Sequence, residues 1–330
     1  MRNKGAKSLC SLLLLLLSSM LLSYRLSNDD VTGKLIWKGE KYAAFTSLVY
    51  YKGDYYCAFR NAQMHYDPTG KDCGSIKIIR SKDVEHWEEF LNFSVDNYDL
   101  RDPQLSVTPT GKLMLLTERV LYVKGKSVKR HSCVSFIDKD GSFSVLAPIS
   151  FNASPDRNWI WNVSWIDGEA YGFCYNPYFA FVKSKDGANF ELIERLRIES
   201  QATETSVVKI NKNELFAVAR THGNALIGVY NIKDKVWKWE ECAERIDCPK
   251  IITVKKDIFV IGRSYVGGKK TSLYKYNKET NKLECIKRIS GGRDCAYPGI
   301  VYKDGYFYIS YYIGEKEQSD IYMILVEHKF

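Results

Sequence analysis

The sequence has none of the cysteine and histidine spacings that hold zinc. Its nine cysteines include no Cys-x-x-Cys pair and its five histidines are scattered, so a zinc site of that kind is excluded. A basic tract is also absent: the net charge is +9, four of the positive charges lie near the N-terminus, and lysine and glutamate alternate in the remainder. This distribution argues against a nucleic-acid partner, and we predict no metal and no other cofactor.

An N-terminal segment separates from the rest of the chain. Three basic residues precede an apolar run at residues 12–22, which is shorter than a comfortable membrane span and typical of a signal peptide. No Ala-x-Ala site follows it, so an uncleaved signal-anchor is the alternative. We predict an export segment at 1–27 and one domain at 28–330, located in the periplasm, outside the cell or at its surface. Only an uncleaved segment would contact a membrane.

The cysteines beyond that segment leave two possibilities open. There are eight of them, an even number that disulfides of an exported protein could use. Cys242 and Cys248 are close enough for a small loop, and Cys57 and Cys73 flank one hairpin. Buried free thiols in strands are the alternative.

A hairpin pattern repeats six times along the chain. Each copy has an alternating apolar run, a Gly, Asn or Asp turn, and a second apolar run, which is typical of antiparallel strands. The turn residues are Gly53, Gly111, Gly168, Asn213, Asp257 and Gly305, at intervals of 58, 57, 45, 44 and 48 residues. This is the spacing of propeller blades.

Further strand pairs between the copies give four strands per unit. The last unit is one strand short after residues 320–327, while residues 34–38 form a lone strand at the start. Because an open ring would leave unpaired edges, we expect the N-terminal strand to close the last blade. The sequence therefore predicts an all-β, six-bladed propeller of four-stranded antiparallel blades.

Equivalent positions of the blades meet at one end of the ring, which we call the funnel mouth. The residues just before each first strand are Ala44, Arg101, Asp102, Trp161, Asn162, Glu204, Cys248 and Tyr297. The residues about seven past each turn are Arg60, Glu118, Arg119, Tyr175, Arg220, Arg263, Ser264 and Tyr312. Arginine outnumbers the acids in this set, which suits a carboxylate, sulfate or phosphate ligand. The alternative is that these charges only neutralise one another at buried strand ends.

Two outer turns carry a known signature. Residues 81–87 (Ser-Lys-Asp-Val-Glu-His-Trp) and 184–190 (Ser-Lys-Asp-Gly-Ala-Asn-Phe) resemble the Asp box, Ser-x-Asp-x-Gly-x-x-Trp, of sialidase-type propellers. The first lacks the glycine, and the second has it one place early. Asp boxes are structural turns, so they support the fold alone.

The mouth residues resemble the exo-sialidase family. Residues 202–208 and 214–220 are similar to its Glu, strand, turn, strand, Arg element, and residues 291–301 to the element that holds its catalytic tyrosine. Asp102-Pro-Gln-Leu resembles the start of its second blade. The resemblance covers nearly the whole body as a weak pattern with two sharper motifs.

This resemblance implies a retaining exo-glycosidase that removes terminal sialic acid or a related acidic sugar. Tyr297 would be the nucleophile and Glu204 its base, because a neutral phenol approaches the substrate carboxylate without like-charge repulsion. Arg220 and Arg263 would clamp that carboxylate. The other mouth residues expected to bind substrate are Arg60, Arg101, Asp102, Arg119 and Trp161.

The chain departs from the family in two places. The family opens its first blade with Arg-Ile-Pro and takes a clamp arginine from it, but an alanine stands here, so Arg60 or Arg101 would substitute. The acid/base is open among Asp67, Asp72 and His65, which share the first-blade loop; His65 is included because histidine titrates near neutrality.

Two other functions stay open. One is a non-catalytic glycan-binding propeller that kept the arginines and lost the acid, and the other is a glycosidase for neutral sugars that uses Asp102 and Glu204 as a carboxylate pair. The sequence also looks like the sialidase-like propellers of gut Bacteroidetes, from which it differs by a missing acid at Asn61 and an inserted Arg293. We expect a monomer whose partners are sialylated or other acidic glycans.

Overall fold

The computed structural model describes residues 31–67, 69–315 and 318–328, and the export segment expected at 1–27 lies outside them. The described ranges contain β-strands and no α-helix, and thus no helix that could cross a membrane. In chain order the strands are β1 (Lys34–Trp37), β2 (Tyr42–Tyr51), β3 (Asp54–Ala62), β4 (Ser75–Ser81), β5 (Glu88–Phe93), β6 (Asp99–Val107), β7 (Leu113–Val123), β8 (Lys126–Ile137), β9 (Ala147–Pro148), β10 (Ser150–Phe151), β11 (Ile160–Ile166), β12 (Glu169–Cys174), β13 (Ala180–Ser184), β14 (Asn189–Arg195), β15 (Thr205–Asn211), β16 (Glu214–Ala219), β17 (Leu226–Asn231), β18 (Val236–Glu241), β19 (Asp247–Val254), β20 (Asp257–Ser264), β21 (Lys270–Asn277), β22 (Lys282–Ile289), β23 (Asp294–Lys303), β24 (Tyr306–Gly314) and β25 (Ser319–Glu327).

The strands form five sheets. Three are four-stranded and follow chain order: β6 to β9, β15 to β18, and β19 to β22. A fourth runs from β11 to β14, with β10 added in parallel at its outer edge. The eight-stranded sheet divides at one parallel pair, Tyr42 with Ser319, into β2 to β5 and β23 to β25 with β1. Strand β1 pairs antiparallel with β25, as expected for an N-terminal strand that completes the last unit.

The first strands of these units contact one another in a closed ring. Strand β2 contacts β6, β6 contacts β11, β11 contacts β15, β15 contacts β19, β19 contacts β23, and β23 returns to β2. The last contact requires a glycine, because a Cβ on Gly299 would lie 2.2 Å from the backbone nitrogen of Leu48. The fold is thus all-β with a propeller-like arrangement of sheets, which confirms this part of the prediction.

A separate apolar core fills the space between neighbouring sheets, and strand β20 explains why its sequence is continuously apolar. Side chains alternate between the two faces of a strand. Ile258 and Val260 enter the core shared with the preceding sheet, whereas Phe259 and Ile261 enter the core shared with the following one. Each such buried side chain contributes roughly 1.5–3 kcal/mol. A strand that faces two cores therefore has no polar face.

The two turns that resemble Asp boxes have the same hydrogen bonds. The hydroxyl of Ser81 accepts from the backbone N–H of Val84, and that of Ser184 from Gly187, both at 2.9 Å. Val84 and Gly187 have positive φ angles of 61° and 78°. The aspartate of each turn also accepts two backbone N–H bonds, so both turns are structural.

All eight described cysteines are free thiols. Of the four considered for disulfides, Cys57, Cys242 and Cys248 are buried and Cys73 is partly buried. These four positions are therefore free thiols, three of them buried.

Candidate functional site

Five of the six ring strands carry a β-bulge near their start. The pairing register shifts there in β2, β6, β11, β19 and β23. Four residues at these bulges have a positive φ between 44° and 62°, namely Phe45, Asp102, Cys248 and Tyr297. A proline follows three of them; it has no N–H to leave unpaired at the bulge. Bulges of this kind change the direction in which a side chain points.

The bulges, together with the residue just before β15, bring one side chain from each unit to the funnel mouth. In ring order these mouth side chains are Phe45, Asp102, Trp161, Glu204, Cys248 and Tyr297. Apolar or thiol groups alternate with carboxyl or phenol groups. Two carboxyl groups and one phenol therefore occupy every second position around the ring.

Tyr297, Glu204 and Arg220 form one hydrogen-bonded group. The phenolic O–H of Tyr297 donates to Oε1 of Glu204 at 2.6 Å. Arg220 Nη1 donates to the same oxygen at 2.8 Å and lies 3.4 Å from the phenol oxygen. The backbone N–H of Cys248 donates to Oε2 at 2.9 Å, so both carboxylate oxygens are fixed. The pair expected from the sequence is thus in direct contact.

The phenol of Tyr297 holds its proton firmly. Burial, followed by the charges of Glu204 and Asp102, raises the pKa of Tyr297 well above its usual value, and Arg220 opposes them. Near neutral pH the side chain is therefore a neutral phenol bonded to a carboxylate. A nucleophile of this kind reacts when its proton passes to the neighbouring base.

Three arginines surround the buried carboxylate of Asp247. Arg245 Nε donates to it at 3.0 Å, Arg220 Nε lies at 3.4 Å, and Arg263 Nη1 at 3.8 Å. Burial, the largest influence, raises the pKa of Asp247, but the arginines hold it below its usual range. One buried carboxylate thus gathers three guanidinium groups, and Arg220 extends from it to the phenol of Tyr297.

Arg263 lies under the candidate nucleophile. Its guanidinium is 5.4 Å from the ring centre of Tyr297 and donates to Asp294 at 2.8 Å and to the backbone oxygen of Cys295 at 2.9 Å. Although burial opposes them, His65 and Arg263 hold the pKa of Asp294 below its usual range. Arg263 and Arg220 thus both lie beside Tyr297.

Arg60 and Arg101 share a different carboxylate, Asp99. Arg60 is fully buried and donates to Asp99 at 2.7 and 3.0 Å and to the backbone oxygen of Met64 at 2.8 Å. Arg101 donates to the other oxygen of Asp99 at 3.1 Å and to the backbone oxygen of His65 at 2.9 Å. Both guanidinium groups hold the first-blade loop, and the burial of Arg60 leaves it no surface for a ligand.

Phe45, the residue after Ala44, is a first-blade side chain that reaches Tyr297. Its ring centre lies 4.6 Å from that of Tyr297. Arg101 lies on the ring of Phe45 at 5.6 Å. An aromatic ring therefore packs against the phenol at this position.

The acid/base candidates on the loop have other partners. The carboxylate of Asp67 accepts four hydrogen bonds, from the backbone N–H groups of Thr69, Lys71 and Asp72 and from the Thr69 hydroxyl. The bond from Asp72, followed by those from Thr69, lowers the pKa of Asp67 to about 2. Asp67 is thus ionised at neutral pH, which suits a loop cap better than a proton donor.

Asp72 and His65 lie on the same loop. Asp72 accepts from the backbone N–H of Gln63 at 3.1 Å. The Nδ1 atom of His65 lies 2.6 Å from the hydroxyl of Tyr42 and 3.6 Å from Asp294. His65 therefore sits at the seam between the first and last units, where its side chain is about half exposed.

Asp102 and Glu118 are two acids whose pKa burial raises. Burial raises the pKa of Asp102 to about 7, opposed by Arg101 and supported by Glu204. Burial also raises the pKa of Glu118 well above its usual range. Glu118 accepts from Ser132 through one oxygen only. The carboxyl group of Asp102 therefore carries a proton for part of the time at neutral pH.

Trp161 and Arg119 are placed differently. Trp161 is buried at the mouth beside Cys248 and Cys295, and its indole N–H has no partner among the described residues. Arg119 lies 4.8 Å from the ring centre of Tyr98, one residue along β7 from Glu118 and hence on the other face of that strand.

Sequence reasoning missed three acids that organise the site. They are Asp99, Asp247 and Asp294, and each stands one to three residues before a mouth side chain. Each pairs with at least one mouth arginine, so the excess of positive charge is smaller than the sequence suggests. Their position next to the pre-strand residues was the available signal. Arg245, two residues before Asp247, was missed as well.

No family model matches the chain, and no curated protein sequence matches it. Solved structures match it in fold. A protein of unknown function from Dyadobacter fermentans aligns with a TM-score of 0.74 at 17% identity, over 91% of this chain and 99% of that one.

Two sialidase structures also match. Trypanosoma rangeli sialidase in complex with the inhibitor DANA aligns with a TM-score of 0.65 at 12% identity, over 91% of this chain and 58% of that one. The phage phi92 endosialidase aligns with a TM-score of 0.68 at 10% identity, over 91% and 70%. The chain thus has a sialidase-like propeller fold and spans little more than half of the trypanosomal enzyme. At these identities the likeness concerns the fold alone.

Proposed function

We propose that the protein is a sialidase-type exo-glycosidase that removes terminal sialic acid, or a related acidic sugar, from glycans. The observation that carries the proposal is the 2.6 Å hydrogen bond from the phenol of Tyr297 to Glu204, with Arg220 in contact with both. A tyrosine paired with a buried carboxylate at the mouth of a sialidase-like propeller is the constellation that this chemistry needs.

The reaction proceeds with retention. Glu204 takes the phenolic proton while the phenol oxygen attacks the anomeric carbon, and water later releases the sugar from Tyr297. A neutral nucleophile suits a substrate whose anomeric carbon bears a carboxylate, because a second carboxylate would approach against like charge. Arg220, beside the phenol oxygen, stabilises the negative charge that develops there.

The substrate carboxylate is held by the arginines around Asp247. Arg220, Arg245 and Arg263 come from two adjacent units, and the buried Asp247 fixes their relative positions before a ligand arrives. Guanidinium groups bind carboxylates through paired N–H donors. Arg245 thus supplies a third guanidinium next to Arg220 and Arg263.

The finer features of the protein belong to the same proposal. The closed ring of first strands and the division of the eight-stranded sheet support six four-stranded blades. We further propose an exported monomer, with a signal peptide or signal-anchor at 1–27, that is closest to the sialidase-like propellers of gut Bacteroidetes.

Release of a fluorogenic sialoside by purified protein tests the function. The wild type should release the fluorophore, and Tyr297→Phe should lose at least about 10²-fold in kcat. Tyr311→Phe is the matched control, since its buried hydroxyl accepts from the backbone of Gly33 and should leave the rate unchanged. Absence of release by the wild type from sialosides of several linkages would refute the proposal.

A second candidate is a non-catalytic propeller that binds acidic glycans. The four hydrogen bonds to Asp67 favour it, because they remove the loop carboxylate from proton transfer. Calorimetric binding of a sialylated oligosaccharide without turnover, abolished in Arg220→Met, would support this candidate. Turnover of neutral glycosides alone would instead support the pair of Asp102 and Glu204.

A further inference from the structure

A retaining glycosidase needs a group that gives a proton to the leaving oxygen and later takes one from water. The first-blade loop does not offer one that is free. Asp67 accepts four hydrogen bonds from its own loop, Asp72 accepts from the backbone of Gln63, and His65 contacts the hydroxyl of Tyr42 at 2.6 Å. The proton donor therefore has to be sought elsewhere at the mouth.

Asp102 is a carboxyl group without such a partner. It stands on the ring itself, at a bulge with a φ of 47°, and is 6% exposed. Among the described residues none donates a hydrogen bond to its side chain, since the adjacent Arg101 donates to Asp99 and to the backbone of His65. A buried carboxylate left unpaired is costly unless it takes up a proton.

The surroundings of Asp102 favour the protonated form near neutrality. Burial is the largest influence and raises the pKa of Asp102 to about 7; Glu204 acts in the same direction, while Arg101, Arg60 and Arg220 act against it. An acid with a pKa near the working pH can both give and take a proton, which is what the two steps require.

Asp102 also lies within electrostatic reach of the nucleophile. Its charge is the second among those that raise the pKa of Tyr297, after that of Glu204. Asp102, Glu204 and Tyr297 occupy alternate positions of the ring. A sugar held at the centre of the mouth therefore has Tyr297 on one side and Asp102 on another.

We propose that Asp102 is the acid and base of the reaction, in place of the loop residues; this inference rests on the proposed function. In the first step the Tyr297 oxygen bonds to the anomeric carbon, the bond to the leaving oxygen breaks, and that oxygen takes the Asp102 proton. Glu204 receives the phenolic proton. In the second step the Asp102 carboxylate takes a proton from the attacking water, and Tyr297 leaves and recovers its proton from Glu204.

Two sialosides with different leaving groups test this assignment. Sialyllactose needs a proton on its leaving oxygen, whereas the 4-methylumbelliferyl sialoside needs little help. Asp102→Asn should lose roughly 10²–10⁴-fold in kcat/KM on sialyllactose and less than about 10-fold on the activated substrate. In the wild type kcat/KM should fall above about pH 7, because Asp102 loses its proton there. This fall should be absent in Asp102→Asn. Asp72→Asn and His65→Gln are the controls and should keep the wild-type ratio between the two substrates.

Equal losses on both substrates in Asp102→Asn, or a selective loss in either control, would overturn the assignment while leaving the proposed function intact. If the wild type cleaves neither substrate, the proposed function fails by itself. The titration of the Asp102 carboxyl by ¹³C NMR, identified with the Asn variant, then decides the inference. A midpoint near pH 7 supports a proton donor, and a midpoint in the ordinary aspartate range overturns it.

Discussion

Replacing Glu204 by glutamine removes one negative charge from the mouth while keeping the size of the side chain. In the wild type one carboxylate oxygen accepts from Tyr297 and Arg220, and the other accepts from the backbone N–H of Cys248. A glutamine has one acceptor oxygen and one NH₂ donor. Whichever way the amide turns, its NH₂ group faces a donor, either Cys248 or Arg220.

The structure sets the size of three effects. Loss of the base should lower kcat by roughly 10²–10⁴-fold, or about 2.7–5.4 kcal/mol of barrier at 1.36 kcal/mol per tenfold. One buried acceptor is lost, so the free energy of unfolding should fall by about 1–3 kcal/mol. The pKa of Tyr297 should fall because the Glu204 charge raises it, but it should stay above its usual value because burial is the larger cause.

The assay combines kinetics, urea unfolding and a spectrophotometric titration of the phenol. Repeating the titration in a Tyr297→Phe background isolates that tyrosine from the other 22 in the chain. Glu214→Gln is the matched control, since Glu214 accepts a hydrogen bond from Asn211 in the same sheet. The reasoning fails if the two glutamine variants have the same kcat, or if the titration of Tyr297 is the same in both.

Four further changes test the fold and its charges. Gly299→Ala should lower the free energy of unfolding by about 1–3 kcal/mol, because its Cβ would meet the neighbouring ring strand. Gly223→Ala is the control, since the nearest atom to its Cβ would be 3.9 Å away, and thermal unfolding of both variants compares them. Asp99→Asn removes the negative charge that two buried arginines share and should cost about 3–5 kcal/mol in urea unfolding. Asp186→Ala removes the acceptor of two backbone N–H groups and should cost about 1–2 kcal/mol; a neutral result would mean that the turn is held by its serine alone. Burial lowers the pKa of Lys250 to about 8, so between pH 8 and 10.5 the folded state binds fewer protons than the unfolded state. The free energy of unfolding should therefore rise by about 3 kcal/mol across that window, and Lys250→Met should lack this rise.

The sequence by itself determined the strands and their grouping. Apolar alternation and turn residues at regular intervals are local signals, and they located the hairpins, the lone N-terminal strand that pairs with β25, and the two outer turns. They also placed Tyr297, Glu204 and Arg220 at one end of the ring, because identical strand order in each unit makes equivalent positions converge. The pairing of Tyr297 with Glu204 came from the family resemblance and not from the repeats.

Only the tertiary structure decided which of two adjacent residues at each bulge faces the mouth. A β-bulge inserts one residue, and because side chains alternate with period two, that residue changes which side chain points inward. Counting along the first strand gives Ala44, whereas Phe45 is the residue that packs on Tyr297. Salt bridges are decided at the same level, since Asp247 gathers arginines from two units. Such contacts depend on side-chain directions across neighbouring sheets, which no local sequence pattern encodes.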